Sequence, residues 1–96
     1  MSFEIIFSTY NNKTKATVSR FDLEADLVAV AKINDVTGFS LRDQLGYWAG
    51  ELEQSHILEL LDTDKRKAFS VASQLKSKYS QDAVIVRPVT TQVYFI

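Results

Sequence analysis

Phe39-Ser40-Leu41-Arg42-Asp43-Gln44-Leu45-Gly46-Tyr47-Trp48-Ala49-Gly50-Glu51-Leu52-Glu53-Gln54-Ser55-His56-Ile57-Leu58-Glu59-Leu60-Leu61-Asp62-Thr63 is the stretch on which the fold turns. Phe39 to Leu41 and Gln44 to Gly50 read as extended chain, rich in aromatic and apolar residues. Glu51-Leu52-Glu53-Gln54 reads as a turn, and Ser55 to Asp62 as the returning strand. Together they predict an antiparallel hairpin. Gly46 and Gly50 flank the aromatic pair, which predicts bulges or a close backbone approach there.

Upstream, Phe3-Glu4-Ile5-Ile6-Phe7-Ser8-Thr9-Tyr10 is a strand signal closed by the turn pair Asn11-Asn12. It is expected to be buried on both faces over Ile5 to Phe7. Residues 13–18 are polar and read equally as a weak second strand or a loop. A helix starts near Ser19, which can cap it with Asp22 three residues on. Phe21, Leu23, Leu27, Val28, Val30, Ala31 and Ile33 give that helix a broad apolar face. Asn34-Asp35 and Gly38 end it.

Downstream, Asp62, Thr63 or Asp64 can cap a second helix. Its inner face is Ala68, Phe69, Ala72, Leu75 and Tyr79, and Lys76 and Lys78 near its end suit the helix dipole. Ala83-Val84-Ile85-Val86-Arg87 reads as a buried strand stopped by Pro88. Thr91 to Ile96 can add a short final strand. The order strand, helix, strand, strand, helix, strand is the α+β, ferredoxin-like βαββαβ pattern in one domain spanning 1–96. Right-handed crossovers then put both helices on one face of an antiparallel sheet. The other face is left bare, and bare apolar sheet faces mark partner or oligomer surfaces.

Composition narrows the function. The chain has 96 residues, 46% hydrophobic and 24% charged, and no cysteine. It can therefore hold neither a disulfide framework nor a sulfur-ligated zinc. No apolar run is long enough to span a bilayer, and Met1-Ser2-Phe3-Glu4 lacks the start of a signal peptide. A cytoplasmic, unprocessed chain with no membrane role is expected. The net charge of −1 disfavours nucleic acid as a partner. The charge is unevenly spread: residues 1–64 carry five Lys/Arg against eleven Asp/Glu, while 65–96 carry six against Asp82 alone. Such a split can give a molecule one acidic and one basic face.

Few residues carry chemistry. Tyr47 and Trp48 are adjacent on a strand, so one is expected in the core and the other on the open face as an interface anchor. His56 is the only histidine, beside Ser55 and Glu59, with no second histidine or cysteine to share a metal. Glu51, Glu53, Glu59 and Asp62 read as a solvated turn and its surroundings. The three glycines, Gly38, Gly46 and Gly50, form no phosphate-binding loop. Lys65-Arg66-Lys67 opens the second helix, where cations oppose the dipole, and is a candidate anion contact. No catalytic residue, metal site or cofactor is expected.

Tyr47 to Ser55, followed by Leu58 to Thr63, resembles the central hairpin of the CutA-type (divalent-cation-tolerance) proteins. Those carry an aromatic pair, one residue, a glycine, a charged turn with a Glu, then an apolar strand ending in Thr. They belong to the wider group of PII-like, ferredoxin-like domains that assemble as trimers. The resemblance thus implies the fold and oligomerisation. After the second helix Tyr79-Ser80-Gln81-Asp82-Ala83-Val84 stands where that family has a His-Pro-Tyr segment and a following Pro-Glu. The family's metal-linked cysteine and histidine have no counterpart either, so no metal and no site residue is carried over.

The expected function is a small non-enzymatic interaction module, forming a homo-oligomer or binding a protein partner through its sheet face. The alternative is a PII/CutA-like regulatory domain that binds a small molecule or ion between subunits. An enzyme working through Glu51, Glu53 or His56 ranks third.

Overall fold

The computed structural model describes residues 1–89, Trp48 by its backbone alone. The elements are β1 (Ser2–Phe7), α1 (Arg20–Ile33), β2 (Gly38–Trp48), β3 (Glu51–Leu61), α2 (Lys65–Lys78) and β4 (Ile85–Val89). The strands form one sheet in the order β2-β3-β1-β4, every neighbouring pair antiparallel. This is the βαββαβ, ferredoxin-like arrangement. The final strand expected over 91–96 lies outside the described residues. No helix among the described residues is long and apolar enough to cross a membrane.

The helices begin where local chemistry satisfies their free N–H groups. Ser19 Oγ accepts from the Asp22 N–H at 3.1 Å, and Asp64 Oδ1 accepts from the Lys67 N–H at 2.8 Å. Each helix lays one stripe on the sheet: Leu23, Leu27, Val30 and Ala31 from α1, and Ala68, Val71, Ala72 and Leu75 from α2. They meet Phe3, Ile5 and Phe7 of β1 and Leu58 and Leu60 of β3 in one core. Residues 13–18 form no strand. They lie in a turn closed by a single bridge between Asn11 and Ala16, tied to the end of α2 by Asn12 Nδ2 donating to the Ser80 carbonyl at 3.3 Å.

Three local expectations are corrected. The hairpin turn is Ala49-Gly50, with φ of 49° and 84°, and Glu51 to Gln54 belong to β3. Two residues of positive φ make the tight turn whose twist matches the flanking strands. The pairing runs unbroken from Gly38–Leu61 to Trp48–Glu51, so Gly46 makes no bulge. Pro88 sits inside β4, opposite Phe3. Among the described residues β4 is an edge strand, where a missing N–H costs no ladder bond, and it is largely exposed rather than buried.

The face away from the helices is not a bare apolar sheet. Glu4, buried at 8% exposure, accepts from Arg42 Nη2 at 2.8 Å through Oε1 and from Arg87 Nε at 2.9 Å through Oε2, and Arg87 Nη2 stands in ion-pair contact with Oε2 at 2.8 Å. Arg42 also approaches Glu59 at 4.0 Å. This network links all four strands. Ile57, between Ile6 and Arg42 in the register, is buried on the same face.

Candidate functional site

β2 and β3 each run for eleven residues, but β1 pairs with β3 only from His56 to Leu60. The outer half of the hairpin therefore projects past the sheet as a free arm. Beyond the helices, its helix-side positions have nothing to pack on. Leu45, Tyr47 and Leu52 are 65%, 72% and 68% exposed, and Tyr47 pairs with Leu52 in the register. Tyr47 is thus not in the core; it belongs to an apolar patch on the arm. Trp48 ends β2 with its backbone opposite Glu51.

At the root of the arm the register sets Asp43 opposite His56. His56 Nδ1 lies 2.8 Å from Asp43 Oδ1, and Arg20, the first residue of α1, donates to the same oxygen at 3.2 Å. The hydrogen bond from His56, then the charge of Arg20, holds the Asp43 carboxyl below the usual carboxylate range. An ionised carboxylate only accepts, so the proton on this bond sits on Nδ1. The His56 ring packs on Phe7, centroids 5.5 Å apart, and Phe7 stacks on Tyr79 at 6.2 Å. The cluster is therefore anchored on the core while its carboxylate faces outward.

Asp43 and His56 line a cleft of about 370 Å³ with Ser8, Thr9, Thr17, Val18, Gln44, Leu45, Gln54 and Ser55. Its walls are hydroxyls, amides and one ionised carboxylate, with Val18 and Leu45 as apolar contacts. A second cleft of about 400 Å³ shares Ser8, Gln54 and Ser55 and adds Tyr10, Asn12, Glu53, Gln81, Asp82 and Ala83. Pockets of this size suit a nucleoside-sized molecule, but both are open on the side facing away from the chain. Among the described residues no group of acidic and histidine side chains is arranged to hold a metal ion.

The other sequence candidates do not join this site. Glu51 and Glu53 are exposed on the arm, and Glu59 lies on the opposite face beside Arg42. Lys65, Arg66 and Lys67 open α2 at the far end of β3, about 33 Å of strand from the arm tip. The acidic arm and the basic turn thus lie at opposite ends. Lys67 Nζ donates to the Asp35 carbonyl at 3.1 Å, and Lys65 Nζ stands 5.6 Å from the centre of the Phe69 ring. Sequence reading missed Asp43 and Arg20 as partners of His56. The signal was the Ala49-Gly50 turn, which alone brings residues 43 and 56 opposite each other.

No protein-family model matches the chain, and no curated protein is significantly similar to it. Among solved structures it is similar to a phage SAM lyase in the apo state, at 25% identity and a TM-score of 0.70, covering 88% of this chain and 75% of that one. The phage SAM lyase in complex with S-methyl-5′-thioadenosine matches at 23% identity and a TM-score of 0.67, covering 88% and 76%. The periplasmic divalent cation tolerance protein CutA from Archaeoglobus fulgidus matches at 14% identity and a TM-score of 0.56, covering 97% and 88%. The last of these bears out the CutA-type resemblance at the level of fold. The first is named as an enzyme and lends no support to a non-catalytic domain.

Proposed function

We propose that this chain assembles with copies of itself and binds S-adenosylmethionine in the cleft at the root of the arm, cleaving it to S-methyl-5′-thioadenosine. The observation that carries this reading is the likeness to a phage SAM lyase over 88% of the chain at 25% identity. The cleft supports it. Its open side leaves room for a second subunit, as the trimeric assembly implied by the CutA-type resemblance would supply. Leu45, Tyr47 and Leu52 of a neighbouring arm can then form an apolar wall, and Tyr47 a surface for adenine.

The chemistry fits a site without an acid–base constellation. Release of the thioadenosine without water breaks the bond between sulfur and the γ-carbon of the methionine group. The substrate's own carboxylate can form the new bond to that carbon, closing a lactone. The bonding pair goes to sulfur, which leaves as a neutral thioether. No proton is transferred, so no general base is needed. Both reacting charges diminish on the way to the transition state and vanish in the products, so a water-poor apolar enclosure favours the transition state over the ground state. A carboxylate beside the sulfonium would do the reverse. Asp43 is therefore better assigned to the ribose hydroxyls, which donate to an ionised carboxylate.

The test is chromatographic detection of S-methyl-5′-thioadenosine after incubation of the purified protein with S-adenosylmethionine, alongside thermal melts with each compound. Product and a raised melting temperature are expected, both diminished by Asp43→Asn. A raised melting temperature without product supports the small-molecule regulatory reading instead. The non-enzymatic interaction module is favoured by one observation, the exposed apolar arm, and would give self-association with neither effect.

A further inference from the structure

α1 is apolar on both sides. Leu23, Leu27, Val30 and Ala31 face the core, yet Phe21, Val28 and Ile33 are 80%, 43% and 74% exposed on the outside. Between them Ala25 and Ala29 are also exposed, and a groove runs along Phe21, Glu24, Ala25, Val28, Ala29 and Lys32. A helix with a second apolar stripe on its outer side, between charged residues, exposes more apolar surface than a solvent-facing side normally carries. Phe21, Ala25 and Val28 follow one another at four and three positions, the spacing of a helix–helix seam. The two alanines let another backbone come close.

Charge selects what covers it. Glu24 and Lys32 flank the groove, and neither has an ion-pair partner within the chain among the described residues. If a second α1 lies antiparallel about a two-fold axis at Val28, each Glu24 stands opposite Lys32 of the other copy, on both sides of the axis. A parallel pairing would set Glu24 against Glu24. We infer that the outer face of α1 is the seat of a second copy of this chain, docked antiparallel through α1. Such a contact is isologous and doubles whatever assembly the sheet and arm produce. It uses a different surface from the proposed ligand cleft and stands or falls independently of it.

One pair of 14-residue helices is smaller than a typical free-standing interface of about 1,200–2,000 Å². The contact is therefore expected to be concentration-dependent. Its test is solution mass by light scattering across a concentration series, with circular dichroism to confirm folding. The wild type should reach an even number of chains. Val28→Arg, at an exposed position, should keep the fold and halve that mass. Glu24→Lys and Lys32→Glu should each weaken the association, since each sets like charges opposite one another, and the double variant E24K/K32E should restore it. A Val28→Arg protein with the wild-type mass at every concentration, or a charge swap no better than the single variants, overturns the inference.

Discussion

Replacing Glu4 with glutamine removes the more deeply buried of the two negative charges, Glu4 and Glu59, at the centre of the outer sheet face. The Glu4 side chain is 11% exposed and takes one hydrogen bond from Arg42 and one from Arg87, with a second Arg87 nitrogen in ion-pair contact. Breaking a fully buried ion pair costs about 3–5 kcal/mol, because the surviving charge is stranded. Here the survivors are not stranded: Arg42 and Arg87 are 51% and 54% exposed and can rehydrate. The cost should therefore fall toward that of a lost charge-assisted hydrogen bond, about 1.5–3 kcal/mol. In a chain of this length that lowers the melting temperature by roughly 4–8 °C per kcal/mol.

The pH dependence gives a second reading of the same group. Its hydrogen bond from Arg42, with that of Arg87, holds the Glu4 carboxyl below the ordinary glutamate value of 4.5. A folded-state pKa below the unfolded one means the unfolded chain binds the proton first. Glu4 therefore contributes its full stability above the unfolded value and loses it as pH falls through the folded one. Urea unfolding of wild type and Glu4→Gln should show the largest gap near pH 7, shrinking below the ordinary glutamate range. A gap under about 0.5 kcal/mol at pH 7, typical of a surface substitution, or one constant down the acid limb, would refute the argument.

Three further outcomes follow from the packing. Ala49→Gly should stabilise the hairpin by several tenths of a kcal/mol, because φ at 49° strains a residue with a Cβ; the check is the shift in urea midpoint at unchanged slope. Leu58→Ala, at 2% exposure in the core, should cost about 2–5 kcal/mol, read as a large fall in melting temperature. Tyr47→Ala should leave thermal stability within about 0.5 kcal/mol while reducing solution mass; a large loss of stability with the mass unchanged would place Tyr47 in packing within the chain.

The helices and the element order were legible because their signals are local. Ser19 and Asp64 cap as their types suggest, and the buried stripes of both helices follow the 3.6-residue period. What escaped the sequence was register. Alternation reports register only where one face is buried, and on the arm neither face packs against the helices. Glu51-Leu52-Glu53-Gln54 thus resembled a turn as well as a strand, and the Asp43–His56 pair stayed hidden. Pro88 misled for a related reason: whether it ends a ladder depends on which strand lies beyond it, and among the described residues none does. Phe21, Val28 and Ile33 read as core because apolar residues on either side of a helix look alike until the sheet chooses one side. Their exposure is what makes the outer face of α1 informative.

The place of β1 in the sheet has a consequence for synthesis on the ribosome. β1 is flanked by β3 and β4, so it has no strand neighbour until residues well downstream emerge. At about 5–20 residues per second, the interval between Phe7 and Leu61 amounts to roughly 3–11 s. Throughout it Phe3, Ile5 and Phe7, all destined for the core, lack their strand neighbours and the cover of α2. The β2–β3 hairpin, closed by a two-residue turn, can form within microseconds of release. The nascent chain must therefore hold a finished hairpin and an orphan apolar strand side by side, and a chaperone that grips short apolar segments would find its substrate in residues 3–7.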